Sequence, residues 1–444
     1  MASLEEAAAK APRLAKDDEE AAALKARALA LHAKYPLFDG HNDLPWALHQ
    51  GFAHVTDPAL GGPDLRAELK GESYPKIRHQ CLHTDIPRMR RGGLGAQFWS
   101  VYIPTDICGA AAVQKTLEQI DVVHKLCERY PDAFEFAWAA ADVRRIHASG
   151  RCASVCGLEG GHHINNSLAT LRMYYRLGCR YMTLTHNGGP GWAKPAIDSA
   201  GRWVLDGLAG CVPSAPSAAD KPALSRFGAA VVREMERLGM VVDLAHVHQE
   251  TMRAVLGVAR SPVMFSHSSS QALCAHPRDV PDDVLSLVAA NGGVVMINFN
   301  APFIAGDFWV KGGKVGADLQ DVCDHIDHIC AVTGSTKHVG LGADYDGIKT
   351  PARGLEDVGT VPDLTVEMLR RGYTDEQVGD VLGLNALRVL AACEANGAKF
   401  QAAGELASEV TPATFGEDHS AGNYDPAAEE PVKVPPAADV AAAV

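Results

Sequence analysis

From residue 35 the chain repeats one pattern: a short apolar run, a polar tip, then a longer stretch with apolar residues at helical spacing. The first run, with Tyr35, Leu37 and Phe38, ends at His41 and Asp43. Later runs occupy 96–102, 153–158, 179–185, 240–245, 262–266, 293–299 and 338–343. Short apolar runs bounded by turn residues read as buried strands. The stretches between them predict helices near 110–128, 167–177, 225–238, 250–259, 281–290 and 317–333. Further helices are expected at 363–371, 375–382 and 385–395, and Pro131, Gly178 and Gly239 supply stop signals. Alternation of near-continuously apolar strands with helices calls for an α/β protein with a parallel sheet. Eight such units suggest a closed (β/α)8 TIM-type barrel. An open doubly wound sheet would place its ligand at one switch point, whereas here nearly every strand ends in a polar tip.

The flanks read differently. Residues 1–34 alternate Ala with Glu, Lys and Asp and predict a charged N-terminal helix, an appendage without evident chemistry. The barrel is expected over 35–400. From 401 to 444 the periodicity fades into Ala, Pro and Glu, which reads as a flexible tail. Residues 187–224 form a long Gly/Pro/Trp/Ser loop, and long connections inside compact domains are usually functional or mobile.

The tips carry the chemistry. His41 and Asp43 stand at i and i+2, so both point to one face of an extended segment. Alone, such a pair reads first as a strand-to-turn junction, because Asp favours turns. Other tips change this: Glu159, His186, His246, His267 and Asp344 each follow an apolar run. In a barrel these ends meet at one mouth. Buried carboxylates and imidazoles need partners, and a cation supplies them together. The set exceeds one tetrahedral ion and suits two ions with one bridging carboxylate. Glu159 is the expected bridge. One ion would take His41, Asp43 and Glu159, and the other Glu159, His246 and His267. With nitrogen and oxygen donors and no Cys at the tips, zinc is the first choice, with manganese or cobalt as alternatives. A water shared by two ions would supply hydroxide, with Asp344 as the acid/base that passes a proton to a leaving amine and His186 as oxyanion stabiliser. Arg278, in a loop after the sixth strand, reads either as a carboxylate clamp or as a solvated loop arginine. His162 and His163 are expected to support the site, and His325 and His328 to be surface or packing residues on an outer helix.

Composition narrows the partners. The 444 residues carry a net charge of −13, with 47% hydrophobic and 21% charged residues. That is an ordinary globular balance, and without a basic patch it argues against nucleic acid or an anionic membrane as partner. The 11 cysteines are scattered and fit a reducing, cytoplasmic setting. No signal peptide, membrane span or lipid-anchor signal is expected.

Seven stretches together resemble the membrane (renal) dipeptidase family of zinc metallopeptidases, over roughly 35–395. They are Asp39-Gly40-His41-Asn42-Asp43-Leu44-Pro45-Trp46, Glu159-Gly160-Gly161-His162, Thr183-Leu184-Thr185-His186, Asp243-Leu244-Ala245-His246, Phe265-Ser266-His267-Ser268-Ser269, Pro281-Asp282-Asp283-Val284 and Gly342-Ala343-Asp344-Tyr345-Asp346-Gly347. The resemblance implies a homodimeric barrel with two zinc ions per subunit, cleaving dipeptides with a free C-terminal carboxylate. It assigns His41, Asp43, Glu159, His246 and His267 to the metals, His186 and Arg278 to the substrate, and Asp344 to proton transfer. Two departures stand out. The animal enzymes carry an export signal and lipid anchor not seen here. Where they have a tyrosine thought to help hold the substrate carboxylate, Phe303 is expected. Another amidohydrolase-type reaction at the same site, on a lactone, an N-acyl amino acid or a β-lactam, is the alternative.

Overall fold

The computed structural model describes residues 4–417 except 75, 78–80, 199–200, 202–203, 205–221 and 306–315, and only the backbone of 4–18. Most of the expected 187–224 loop and residues 418–444 of the expected tail lie outside the described residues.

The strands are β1 (Leu37–Asn42), β2 (Leu94–Tyr102), β3 (Phe134–Phe136), β4 (Cys152–Glu159), β5 (Cys179–Thr183), β6 (Val241–Asp243), β7 (Met264–Phe265), β8 (Val294–Ile297) and β9 (Val339–Leu341). They pair in parallel in the order β1-β2-β4-β5-β6-β7-β8-β9. The ring closes just beyond the ends of β1 and β9. There Asn42 and Tyr345 form a parallel bridge, Asp43 N donates to Tyr345 O (2.8 Å) and Asp344 N to His41 O (3.1 Å). This is the (β/α)8 barrel that the alternation predicts. Inside it Phe38, Phe98, Tyr181, Val241, Met264 and Met296 pack as one buried cluster, continuous with Val143 and Ile146 of one helix and Leu387 and Leu390 of another. A larger apolar shell lies between the strands and the outer helices. Burial on both faces explains why the strands read as unbroken apolar runs.

Four expectations change. The link after β1, where the pattern predicts no element, contains the helices Leu44–Phe52 and Ile86–Gly92. The segment after Pro131 holds β3 and the helix Ala140–Ala148. β3 pairs with β4 outside the ring, beginning at Phe134 opposite Cys152. The N-terminal helix, Leu4–Lys34, is not a mere appendage: Ala28, Leu31 and His32 are buried, and Lys25 and Arg27 pair with Asp363 and Asp375, each at 2.6 Å. The chain also stays attached beyond 401. The Glu417 carboxylate accepts from Ser225 Oγ (2.8 Å) and Phe227 N (3.1 Å), capping the helix Arg226–Leu238.

Candidate metal centre

Every expected tip residue arrives at the barrel mouth. His41 lies in β1, Asp43 just after it, and Glu159 ends β4. His186, His246, His267 and Asp344 follow β5, β6, β7 and β9 within a few residues. His246 and Asp344 both adopt left-handed backbone, φ 64°, a costly conformation that concentrates at functional sites. Gly347 is required beside them, because a Cβ there would fall on the carboxylate oxygens of Asp43 and Asp344.

Glu159 Oε1 is the hub. His246 Nε2 lies 3.1 Å from it, His41 Nε2 3.5 Å, and His186 Nε2 and His267 Nε2 3.6 Å each. His41 Nε2 is also 3.3 Å from Asp43 Oδ2 and 3.9 Å from Asp344 Oδ1. Three overlapping groups have metal-holding geometry: His41 with Glu159 and His267, Glu159 with His186 and His246, and His41 with Asp43 and Asp344. All seven tip residues fall in them. The grouping differs from the expected partition: neither expected set recurs whole, and Asp344 joins His41 and Asp43. His267 approaches His41 as well as His246, and His186 stands as near the hub as His267 does.

The surrounding bonds fix which imidazole nitrogen faces the hub. His246 Nδ1 lies 3.3 Å from Asn187 Oδ1, an acceptor, so Nδ1 carries the proton. Ser266 Oγ donates to Asp243 Oδ2 (2.7 Å), so it accepts from His267 Nδ1 (2.8 Å). Both Nε2 lone pairs therefore point inward, 3.0 Å apart. Orientation of a ligand imidazole by an acceptor on its other nitrogen is the usual outer-shell device. Ser100 Oγ donates to Glu159 Oε2 (3.0 Å), leaving Oε1 for the hub. Tyr181 OH pairs with His41 Nδ1 at 3.0 Å, and His41 Nε2 is buried without a partner.

Burial pushes His186, His246 and His267 well below the ordinary imidazole range, and Arg278 adds to the shift in each. These three stay neutral, the state in which an imidazole can hold a metal. At His41 burial opposes charge, but Tyr181, Glu159 and Asp43 outweigh it and hold the imidazole well above its usual value. Burial raises the Asp344 carboxyl well above the carboxylate range, with Asp43 and Glu159 adding to the rise. A cluster that draws a proton onto one His and into one Asp is short of positive charge, and a divalent cation meets that need. The residues fit such an ion.

Arg278 is buried, 2% exposed, rather than a solvated loop residue. Its Nη1 and Nη2 donate to Ser268 Oγ (3.4 Å) and His267 O (3.2 Å), its Nε has no partner, and the Phe303 ring centroid lies 5.7 Å away. His162 and His163 brace the site: His162 Nε2 bonds Ile103 O (2.9 Å), and His163 links Thr116 Oγ1 (2.8 Å) to Glu159 O (3.1 Å). His325 is a packing residue that accepts from Ser270 N (3.0 Å), and His328 pairs with Asp282 (2.8 Å) on the outside. Sequence reasoning missed Ser100, Tyr181, Asn187 and Asn298. Asn298 follows β8 directly and Asn187 adjoins His186, a signal that was available.

A closed parallel barrel with four imidazoles and three carboxylates around one point is the scaffold of a metal-dependent hydrolase. A profile of the membrane dipeptidases, peptidase family M19, matches residues 25–404, and the chain belongs to that metallopeptidase family. Solved structures agree. A metallo peptidase from Rhodobacter sphaeroides, liganded with a phosphinate mimic of the dipeptide L-Ala-D-Ala, is 25% identical with TM-score 0.66, covering 81% of this chain and 99% of its own. The metallo peptidase dipeptidase AC is 25% identical with TM-score 0.65, covering 81% and 98%. The probable dipeptidase PvdM from Pseudomonas aeruginosa, 17% identical with TM-score 0.67 over 84% and 99%, shares the fold. No described helix is long and apolar enough to cross a membrane.

Proposed function

We propose that this chain hydrolyses dipeptides with a free C-terminal carboxylate, using two zinc ions held by His41, Asp43, Glu159, His246 and His267, with Glu159 shared. The observation that carries this reading is the pair of inward lone pairs on His246 and His267, 3.0 Å apart beside the Glu159 carboxylate. That arrangement is repulsive until a cation sits among them. Mixed nitrogen and oxygen donors without thiolate favour zinc. Such ions, when bound, polarise a carbonyl and lower the pKa of a nearby water.

The remaining groups supply binding and proton transfer. Arg278 aims an unsatisfied guanidinium into the pocket and takes the C-terminal carboxylate through its planar fork. Phe303 offers only an apolar face beside it. Asp344 is held by Asn298 Nδ2 donating to Oδ2 at 3.0 Å. Its Oδ1 side faces the cluster, where it accepts a proton from the attacking water and returns it to the leaving amine. His186, kept neutral by burial, donates to the oxygen that gains charge. The related Rhodobacter metallo peptidase with its L-Ala-D-Ala mimic supports this substrate class. We place the enzyme in the cytoplasm, in keeping with unpaired cysteines throughout the described residues, and as a homodimer, in keeping with its family.

The test is hydrolysis of L-Ala-L-Ala, L-Ala-D-Ala, Cys-Gly and N-acetyl-Ala-Ala by chelator-stripped protein titrated with zinc. Activity should return at about two ions per chain, as a two-metal site requires, and should spare the N-blocked peptide. Metal uptake without turnover of any free dipeptide would redirect the reading to other amide or ester substrates. No uptake at all would remove the dinuclear centre.

A further inference from the structure

The pocket above the metal centre has a volume of about 450 Å³ and segregates its charges. Its carboxylates, Asp43, Glu159, Asp344 and Asp346, stand at the tips of β1, β4 and β9. Another part of the lining comes from 300–303 and 348–350, and there Asn300, Lys349 and Thr350 contribute hydrogen-bond donors and no carboxylate. This wall is fixed by its backbone. Ala301 N donates to Thr350 O (2.9 Å), Ala352 N donates to Phe299 O (2.9 Å), and Asn300 bridges Pro351. Lys349 is thereby anchored near Phe303, whose ring lies beside the Arg278 guanidinium. Lys349 is exposed, and no described carboxylate lies within 4.0 Å of its ammonium. The lining thus includes two cationic residues without a described carboxylate partner at that distance, Arg278 buried and Lys349 exposed.

We infer that Lys349, with Thr350 and Asn300 beside it, forms a subsite for a second carboxylate, so that the enzyme selects dipeptides whose C-terminal residue is acidic. The inference rests on the dipeptidase reading above. With the α-carboxylate on Arg278, a side chain of the same residue turned toward the 300–303 and 348–350 wall would meet Lys349, Thr350 and Asn300. An aspartate or glutamate side chain needs a cation and hydrogen-bond donors there, and Lys349, Thr350 and Asn300 are of those types. The volume lies within the range of pockets that enclose ligands larger than two alanines. An ammonium at the rim is screened by salt, so the preference weakens as ionic strength rises.

The experiment compares kcat/KM for Ala-Asp with its neutral isostere Ala-Asn, with L- and D-residues at the second position, in the zinc-loaded enzyme. The wild type should favour Ala-Asp by about fivefold, the size of an exposed ion pair, mostly through KM and less so at high salt. Lys349→Met should bring the ratio to about one, and Lys349→Glu below one, at unchanged zinc content. A wild-type ratio of one or less, or a preference that survives both substitutions, would overturn the subsite while leaving the dipeptidase reading intact. No turnover of any dipeptide, Ala-Ala included, would overturn both.

Discussion

Arg278 shows how burial decides a residue's role. A guanidinium 2% exposed, with two long bonds to Ser268 Oγ and His267 O and none from Nε, carries an incompletely met charge. Burying an unpaired charge is costly, and in the proposed reading a substrate carboxylate would meet the deficit. Arg278→Ala should therefore raise KM for free dipeptides by about 30-fold or more, the usual cost of breaking a buried charge pair, with a smaller change in kcat. Arg278→Lys should recover little of it, because lysine lacks the fork. An unchanged KM in the alanine variant would take Arg278 out of substrate binding. Its loop position left this residue open, since a loop arginine reads the same whether it is solvated or buried, and only the family resemblance assigned it to the substrate. His41, Asp43, Glu159, His186, His246, His267 and Asp344 were legible because each is an ionisable group beside a strand end. Tyr181 was not, because a tyrosine in an apolar run looks like core, and its bond to His41 joins residues 140 positions apart.

At the scale of elements, periodicity located the strands and helices of the ring within a few residues. It failed where an element is too short to repeat, as in β3 (Phe134–Phe136), or where apolar positions are sparse, as in the helix Ala140–Ala148 with only Val143 and Ile146 as large buried side chains. The N-terminal helix was expected but its docking was not, because its charged composition hides the few residues that dock it. His32 is the telling one, with Nδ1 on Gly92 O (2.9 Å) and Nε2 on Thr365 Oγ1 (2.8 Å). Burial lowers His32 to about 4, against about 6.5 in an unfolded chain. Between those values the unfolded state binds more protons, so stability rises with pH across the window and is lost as pH falls through it. The contribution reaches ~3 kcal/mol at most. Urea midpoints at pH 4.5 and 7 should differ less in His32→Gln than in the wild type. Equal pH dependence in the two proteins would show that the helix docks without a titrating contact.

At the scale of the molecule, the ring and the proposed metal centre should depend on each other. The clustered groups come from β1, β4 and the segments just after β5, β6, β7 and β9, so a cation among them ties most of the barrel mouth together. Without one, the inward lone pairs of His246 and His267, the Glu159 carboxylate and the partnerless His41 Nε2 oppose closure. Ligand binding to the native state alone stabilises it by about 2.7 kcal/mol per ion at a hundred times Kd. Removing zinc with a chelator should therefore lower Tm by several degrees, and hydrogen exchange should quicken first at the strand tips that end in His41, Glu159 and His267, not at the N-terminal ends of the strands. Those opposite ends are plugged by apolar packing from Val143, Ile146, Leu387 and Leu390, which owes nothing to the metal. Zinc should restore both readings, and Glu159→Gln, which removes the charge at the hub, should make Tm insensitive to chelator. If metal leaves by elemental analysis while Tm and tip exchange stay constant, the mouth is held by its backbone bridges, such as Asp43 N to Tyr345 O and Asp344 N to His41 O. The centre would then be a passenger on a scaffold that is complete without it.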